Sequence, residues 1–452
     1  MSTGAASTEY DLVVEAPRLV GPDGERSAKV GVRGSTVGAV EPAHVPMTGK
    51  RHLRLADDEV LLPGLVDSHV HVNDPGRSDW EGFPSATRAA AAGGLTTIVD
   101  MPLNCLPPTV DTTALRTKQK AARGNTYVDT GFWGGVVPGN VDELRGLHNA
   151  GVFGFKCFLL PSGVDEFPPL SGEEFAQAMA EIASFGGLLI VHAEDAGVID
   201  AAPQASGTEY KDFLASRPRE AENRAVQRVI DQVRETGCRA HILHVSSADV
   251  VDLIAAAKRE GLPITAETCP HYLVFTAEEI DNGATEFKCC PPIREEGNRD
   301  RLWQGLADGT IDMIVSDHSP STPELKEVDT GDFGTAWGGV SSLQLGLSAV
   351  WTEARARGFG LSDVVRWMAA GPARQTRMWA KGAIEVGYDA DFCVLAPDES
   401  NVVDPQLLQH KHPVTPYAKR ALTGAVRATW LRGEPLDIEE QPRGRLLGRE
   451  EV

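Results

Sequence analysis

The chain reads as an α/β protein, a (β/α)8 barrel of the TIM type with a small β domain built from both chain ends. Three observations predict this. Eight short apolar runs succeed one another, several of them ending in a residue that can carry charge. Stretches with apolar residues at helical spacing lie between the runs. From His69 to Asp317 the chain covers close to the roughly 250 residues typical of an eight-fold barrel.

The first run, Leu-Pro-Gly-Leu-Val-Asp-Ser-His69-Val-His71, sets two histidines two residues apart. Alternate side chains of a strand share a face, so both imidazoles aim at one point. Such a pair is also an ordinary strand feature, and its meaning depends on the other runs of the chain. Leu95 to Met101 and Tyr127 to Trp133 supply the second and third runs. Gly-Val-Phe-Gly-Phe-Lys156 is the fourth, Leu-Leu-Ile-Val-His192 the fifth and His-Ile-Leu-His244 the sixth. Leu262 to Glu267 and Ile-Asp-Met-Ile-Val-Ser-Asp317 complete the set. Near-continuous apolar runs of this length suit parallel strands buried on both faces. Helices are expected at Ser85 to Ala92, Glu173 to Ser184, Ala221 to Glu235 and Ala248 to Arg259.

Active sites of such barrels sit at the carboxyl ends of the strands. His69, His71, Lys156, His192, His244 and Asp317 would therefore converge on one rim. Five of the six are ordinary metal-ligand types. Lys156 is the odd member, because an ammonium repels a cation. A lysine whose pKa is lowered by burial can instead react with carbon dioxide to give a carbamate, whose oxygens can bridge two ions. The alternative is a structural lysine paired with a carboxylate.

Outside the barrel, Asp11 to Val14 and Ala28 to Val40 alternate and turn like short strands, as do Asp391 to Leu395 and Ala425 to Arg432. Residues 1–60 and 385–452 are thus expected to form the small β domain and a C-terminal tail, with the barrel over 61–384. From Glu439 the charged tail is expected to be a partly mobile arm or an oligomer contact. Seven cysteines at irregular positions suit a reduced, cytoplasmic protein. The first ten residues lack the basic start and apolar core of an export signal. No stretch is apolar and long enough to span a bilayer. A net charge of -21 argues against nonspecific nucleic-acid binding.

At this point the motifs resemble a family, the cyclic amidohydrolases, which include dihydroorotase, dihydropyrimidinase or hydantoinase, and allantoinase. The resemblance runs from about Asp11 to Gly433 through Pro-Gly-Leu-Val-Asp-Ser-His69-Val-His71, Gly-Phe-Lys156, Val-His192-Ala-Glu, His244-Val-Ser-Ser, Cys269-Pro-His-Tyr, Pro291-Pro-Ile-Arg and Ser316-Asp317-His-Ser-Pro. It implies a binuclear centre held by the six residues, with Lys156 carboxylated and bridging. Two divalent ions per chain are implied, zinc first, with cobalt, nickel, manganese or iron compatible with the same ligands. The resemblance also implies a homotetramer, and because the six residues already account for two metals, His271 and His318 are expected to support the ligands or the structure rather than to bind metal.

Within the family, the allantoinase branch is the nearest likeness, through Asp74-Pro-Gly-Arg-Ser-Asp-Trp-Glu-Gly82, Met101-Pro-Leu-Asn104, Gly154-Phe-Lys-Cys-Phe158, Lys288-Cys-Cys-Pro-Pro-Ile-Arg294 and Ala336-Trp-Gly-Gly339. Asn73 stands where dihydroorotases carry the arginine that pairs with a substrate carboxylate. Pro161 stands where dihydropyrimidinases carry an oxyanion-stabilising tyrosine. Cys290 departs from the serine usual before Pro-Pro. The long segments Pro102 to Asp111, Phe158 to Ser171 and His318 to Val340 are expected to shape specificity. Arg77, Asn104, Cys290, Ser319 and Trp337 are the substrate-binding candidates. The implied reaction is hydrolytic opening of the hydantoin ring of allantoin in purine catabolism, with Asp317 taking a proton from water and passing it to the ring nitrogen. A hydantoinase acting on 5-substituted rings and a noncatalytic assembly protein on the same scaffold are the alternatives.

Overall fold

The structure is a computed structural model and describes residues 9–449. Its centre is a ring of parallel strands: β1 (Leu65–Val70), β2 (Leu95–Asp100), β3 (Asp129–Phe132), β4 (Phe155–Phe158), β5 (Leu188–His192), β6 (Arg239–Ile242), β7 (Ile264–Thr268) and β8 (Met313–Ile314). β1, β2 and β3 pair in parallel, and β4 to β8 continue in chain order. β3 bends at Trp133 and continues as Gly134–Gly135, where Gly134 lies opposite Phe155 of β4. The ring closes where the His71 amide donates to the His318 carbonyl at 2.8 Å, beside a parallel bridge from Val70 to His318. The barrel predicted from the eight runs is the fold observed.

Helices form where apolar periodicity and caps coincide. Gly172–Ser184 starts at Ser171, which forms a capping box with Glu174, and buries Phe175, Ala178, Met179 and Ile182. Arg219–Thr236 buries Ala221, Ala225, Val229 and Val233 among others and stops at Gly237, whose φ of 67° suits a residue without a Cβ. The capping carboxylate of Asp111 accepts from the Thr113 and Ala114 amides at the start of Thr112–Ala122.

Strand ends differ from the sequence expectation in a way that matters for the rim. Lys156 sits inside β4 rather than at its end. β6 stops at Ile242 and β8 at Ile314, so His244 and Asp317 lie in the turns just beyond. Both have positive φ, 35° and 45°, which is uncommon away from glycine. Leaving the ladder early lets the backbone turn these two side chains inward, the kind of local strain often held at functional positions.

Both chain ends share one sheet. Its order is Glu434–Pro435, Ala421–Leu431, Phe392–Val402, Val60–Pro63, Tyr10–Gly21, Gly24–Arg33 and Thr36–Pro42, with Gly49–Arg54 pairing parallel to Tyr10–Gly21. Val60–Pro63 runs antiparallel to Phe392–Val402, so the strand entering the barrel is held by the strand that leaves it.

The tail, expected to be a partly mobile arm or an oligomer contact, is docked against the barrel as far as Arg449. The Thr130 amide donates to the Arg445 carbonyl at 2.8 Å, the Leu447 amide to the Thr130 carbonyl at 2.9 Å and the Gly444 amide to the Thr126 carbonyl at 2.8 Å. At this level one edge of β3 pairs with β2, and the tail occupies the other edge below the point where β4 begins. Unpaired strand edges invite such a partner.

A buried ionic cluster joins the same elements. Lys381 Nζ lies 2.7 Å from Asp129 Oδ2, 2.7 Å from Asp391 Oδ2 and 2.8 Å from Asp389 Oδ2. Arg432 pairs with Asp129, and the Arg445 amide donates to the same carboxylate. The three aspartates are close enough to hold a metal ion, but the Lys381 ammonium already stands between them. We expect Lys381→Met to lower unfolding free energy by about 3–5 kcal/mol, since removing one partner of a buried ionic group strands the others. A urea melt of the metal-loaded protein measures this, and a loss below about 1 kcal/mol would show that the cluster is not a staple.

Candidate metal centre

β1 itself and the segment after β8 are tied by one carboxylate. Asp67 accepts from the His69 amide and from the Ser316 amide, each at 3.0 Å. Burial pushes the Asp67 carboxyl up to about 6 despite these donors. This tie brings His69 and Asp317 face to face, with His69 Nε2 3.0 Å from Asp317 Oδ1 and His71 Nε2 3.5 Å from the same oxygen. Lys156 Nζ lies 3.4 Å from His69 Nε2. The His244 ring is 5.5 Å from that of His69, and His192 stands edge to face with His244 at 4.5 Å. The six side chains named from the sequence are therefore brought to one place.

Carboxylates orient the histidines from behind. Glu267 on β7 holds His69 Nδ1 at 2.5 Å through one oxygen and His241 Nε2 at 2.9 Å through the other. Glu194 holds His192 Nε2 at 2.8 Å and is itself gripped by Arg217 Nε at 3.1 Å and Nη2 at 2.5 Å. A carboxylate on one imidazole nitrogen fixes the ring and makes the other nitrogen a better ligand. His71 Nδ1 and His244 Nδ1 are buried without a hydrogen-bond partner.

The electrostatics arise from burial and these contacts. Burial disfavours the His69 imidazolium, but Asp317 and Glu267 outweigh it and hold His69 up to about 9. Burial pushes His71 down to about 3, with Lys156 adding to the effect. Burial, then His192, lowers His244 well below the usual histidine range. Burial also brings Lys156 down to about 8, against the pull of Asp317 and Glu267. Against its own burial, Asp317 is kept ionised well below the usual carboxylate range by His69, His71 and His244. Ionised carboxylate and mostly neutral imidazoles form a donor set that fits a divalent cation. His69, His71 and Asp317 already place ligand atoms within 4.8 Å of one another.

These groups open into a cavity of about 350 Å³, within the size range of small-molecule sites. His71, Lys156, His192, His244 and Asp317 line it, whereas His69 lies beneath them, fully buried. Of the substrate candidates, Asn104, Cys290, Ser319 and Trp337 are on its wall. Arg77 is not among the lining residues. Its guanidinium is drawn away by Glu166 at 2.5 Å and by the Asn104 carbonyl at 3.0 Å, so it braces the loop that carries Asn104. Ser319 faces the cavity, but its hydroxyl donates to the Asp317 carbonyl and accepts from the Val340 amide. Asn73 is buried off the wall with its amide on the Pro320 carbonyl, while Pro161 lines the wall.

The loop after β8 is set by backbone contacts. Gly339 has a φ of 151°, and a Cβ there would sit 2.1 Å from the Ser319 carbonyl oxygen, so only glycine fits. Lys326 Nζ donates to the carbonyls of Lys288, Trp337 and Gly339 at 3.1, 3.0 and 2.8 Å. Sequence reasoning missed Glu267, His241, Arg217, Lys288 and Lys326. Glu267 had a usable signal, because it ends a predicted strand as a charged residue as His192 does. Glu194 stood in the Val-His192-Ala-Glu motif without a role. Nothing in the sequence pairs Arg217 with it. His318 is held by Glu81 at 3.2 Å, and His271 is buried with both ring nitrogens unpartnered.

With this geometry in view, residues 60–436 match the model of the Amidohydrolase family, and the chain belongs to that family. It is 58% identical over 446 residues to an allantoinase of Streptomyces avermitilis, covering 98% of this chain and 100% of the relative. It is 42% identical to an allantoinase of Arabidopsis thaliana, covering 93% and 87%. Among solved structures, an L-hydantoinase (dihydropyrimidinase) of Arthrobacter aurescens superposes with a TM-score of 0.89 at 33% identity, covering 97% of each chain.

Glu267→Gln removes a carboxylate that favours the His69 imidazolium. In metal-stripped protein, we expect the His69 pKa, tracked by imidazole NMR, to fall from about 9 by at least about one unit. Divalent-metal affinity measured against a competing chelator should weaken roughly 10–100-fold. An unmoved His69 titration would show that Glu267 does not govern this ring.

Proposed function

We propose that the protein opens the hydantoin ring of allantoin by hydrolysis, giving allantoate, and so acts in purine catabolism. The observation that carries this reading is the gathering of six ligand-type side chains, five of them lining one cavity and His69 directly beneath. The two allantoinases, similar over most of their length, support the choice of ring.

His69, His71, His192, His244, Asp317 and a carboxylated Lys156 would hold two divalent ions, zinc foremost. When bound, such ions lower the pKa of water and polarise a carbonyl. The remaining chemistry belongs to the chain. Asp317, ionised and on the cavity wall, takes the proton of the attacking water and delivers it to the departing ring nitrogen. His69, His192 and their carboxylates keep the ligand nitrogens oriented through the reaction. Pro161, which has no hydroxyl, leaves oxyanion stabilisation to the ligand wall. Leu103, Phe158 and Trp337 give the cavity apolar surface for the ring to lie against.

The finer properties of this reading are a homotetramer, as the family resemblance implies, and a reduced cytoplasmic setting, which the seven unpaired cysteines favour. A second reading, a hydantoinase acting on other 5-substituted rings, is favoured by the Arthrobacter aurescens relative.

Elemental analysis of metal-replete protein should find close to two divalent ions per chain, and chelation should abolish turnover. Metal content near zero with full activity would remove the metallohydrolase reading. Lys156→Ala should lose nearly all activity while the barrel stays folded, with partial rescue by short carboxylic acids. Asp317→Asn should lower kcat about 10²–10⁴-fold, because an amide can face a metal but cannot take the proton. Compared as kcat/KM under one metal condition, allantoin should exceed dihydroorotate, dihydrouracil and hydantoin. The missing tyrosine alone is worth about 2.7–4 kcal/mol to a substrate that needs it. Dihydrouracil or hydantoin matching allantoin would favour the second reading.

A further inference from the structure

The ligand side of the cavity holds its charges in matched groups, but the wall that carries Lys288 does not. Lys288 is 8% exposed and lines the cavity. Its Nζ donates to one acceptor, the Gly334 carbonyl at 3.2 Å, and lies 5.3 Å above the Phe213 ring. Among the described residues no carboxylate comes within the 4.0 Å of an ion pair. Asp332, whose charge it feels, instead accepts from the Gly207 and Gly334 amides. The other cation on this wall, Arg217, is neutralised by Glu194. Lys326, behind the wall, has its three donors filled by carbonyls. Burying an ammonium with two of its three donors unfilled is costly, and burial indeed pulls the Lys288 pKa down. A buried group of this kind in a cavity wall finds its partner in what the cavity binds.

We propose that Lys288 determines specificity by donating to the carbonyl oxygen of a polar substituent, such as a ureido group, on the cyclic amide opened at the ligand wall. This inference rests on the allantoin reading above. Its backbone placement suits the role. The Lys288 carbonyl accepts from the Gly339 amide at 2.8 Å and from Lys326, so the residue is locked to the loop after β8 while its ammonium points along Phe213. A ring without a substituent would leave the ammonium as it stands. A ring with a ureido arm would fill it. Lys288 would thus act on substrate choice and leave the ring-opening step untouched.

The test compares allantoin with unsubstituted hydantoin in wild type, Lys288→Met and Lys288→Gln, each loaded with the same metal. Both variants are made so that one suffices if the other fails to fold, and retained hydantoin turnover certifies the fold. For allantoin, kcat/KM should fall roughly ten- to hundredfold in Lys288→Met, mainly through KM, as expected for loss of a charged hydrogen bond. For hydantoin it should change less than about threefold. Lys288→Gln, which keeps a neutral donor, should lie between. A variant that keeps the wild-type preference for allantoin, or that loses both substrates equally, overturns the role of Lys288 alone. Wild-type protein that opens hydantoin and leaves allantoin intact overturns the allantoin reading, and this inference with it.

Discussion

A fully buried imidazole clamped between two carboxylates organises this molecule. His69 has Glu267 on one nitrogen and Asp317 beside the other, and neither carboxylate is near it in sequence. The clamp exists only if β1 meets β8 and so comes within reach of β7, one strand further round the ring, so ring closure and site assembly are one event. Asp67 makes the link explicit, holding the His69 and Ser316 amides together. The two negative groups create a strong local demand for positive charge. In the protein alone the His69 proton answers it, and the neighbouring neutral imidazoles, His71 and His244, complete a set of donors to a divalent cation.

Charge is divided over the cavity by wall. The ligand wall gathers imidazoles backed by Glu194 and Glu267, so each ring is fixed from outside while its inner face stays open to the cavity. The wall that carries Lys288 holds its ammonium on the Gly334 carbonyl. Lys326 ties the loop after β8 to the Lys288 segment, and Gly339 permits the approach that makes this possible. A chain with net charge -21 thus keeps one ammonium without a carboxylate partner in this lining. That contrast directs polar, acceptor-rich substituents to one side of the cavity and the hydrolysed bond to the other.

The far end of the barrel is built for cohesion. Lys381 binds three aspartates drawn from β3 and the segment before Phe392–Val402, and the tail backbone adds to the edge of β3. Both chain ends converge there with the barrel. Stability and chemistry are therefore placed at opposite ends of the strands, as barrel enzymes commonly arrange them. Strained turns at His244 and Asp317 are tolerable because the rest of the ring is held from below.

Strands and helices were legible in the sequence because their signals are local. The pairing of His69 with His71, the apolar runs and the helical spacing of Glu173 to Ser184 each depend on neighbours within a few residues. The six ligand-type residues were legible for a related reason, since residues at or near the carboxyl ends of parallel barrel strands gather at one rim, although the turns that aim His244 and Asp317 inward were not. Glu267 gripping both His69 and His241, Arg77 turned away to Glu166, the tail laid along β3 and Lys288 left without a carboxylate were not legible. Each depends on which distant segments approach. By itself, the sequence determined the order of the strands and the kinds of atom offered at their ends. Only the tertiary structure decided which of those atoms are matched by a partner and which remain open to a substrate, because partners across a barrel are set by its closure and not by spacing along the chain.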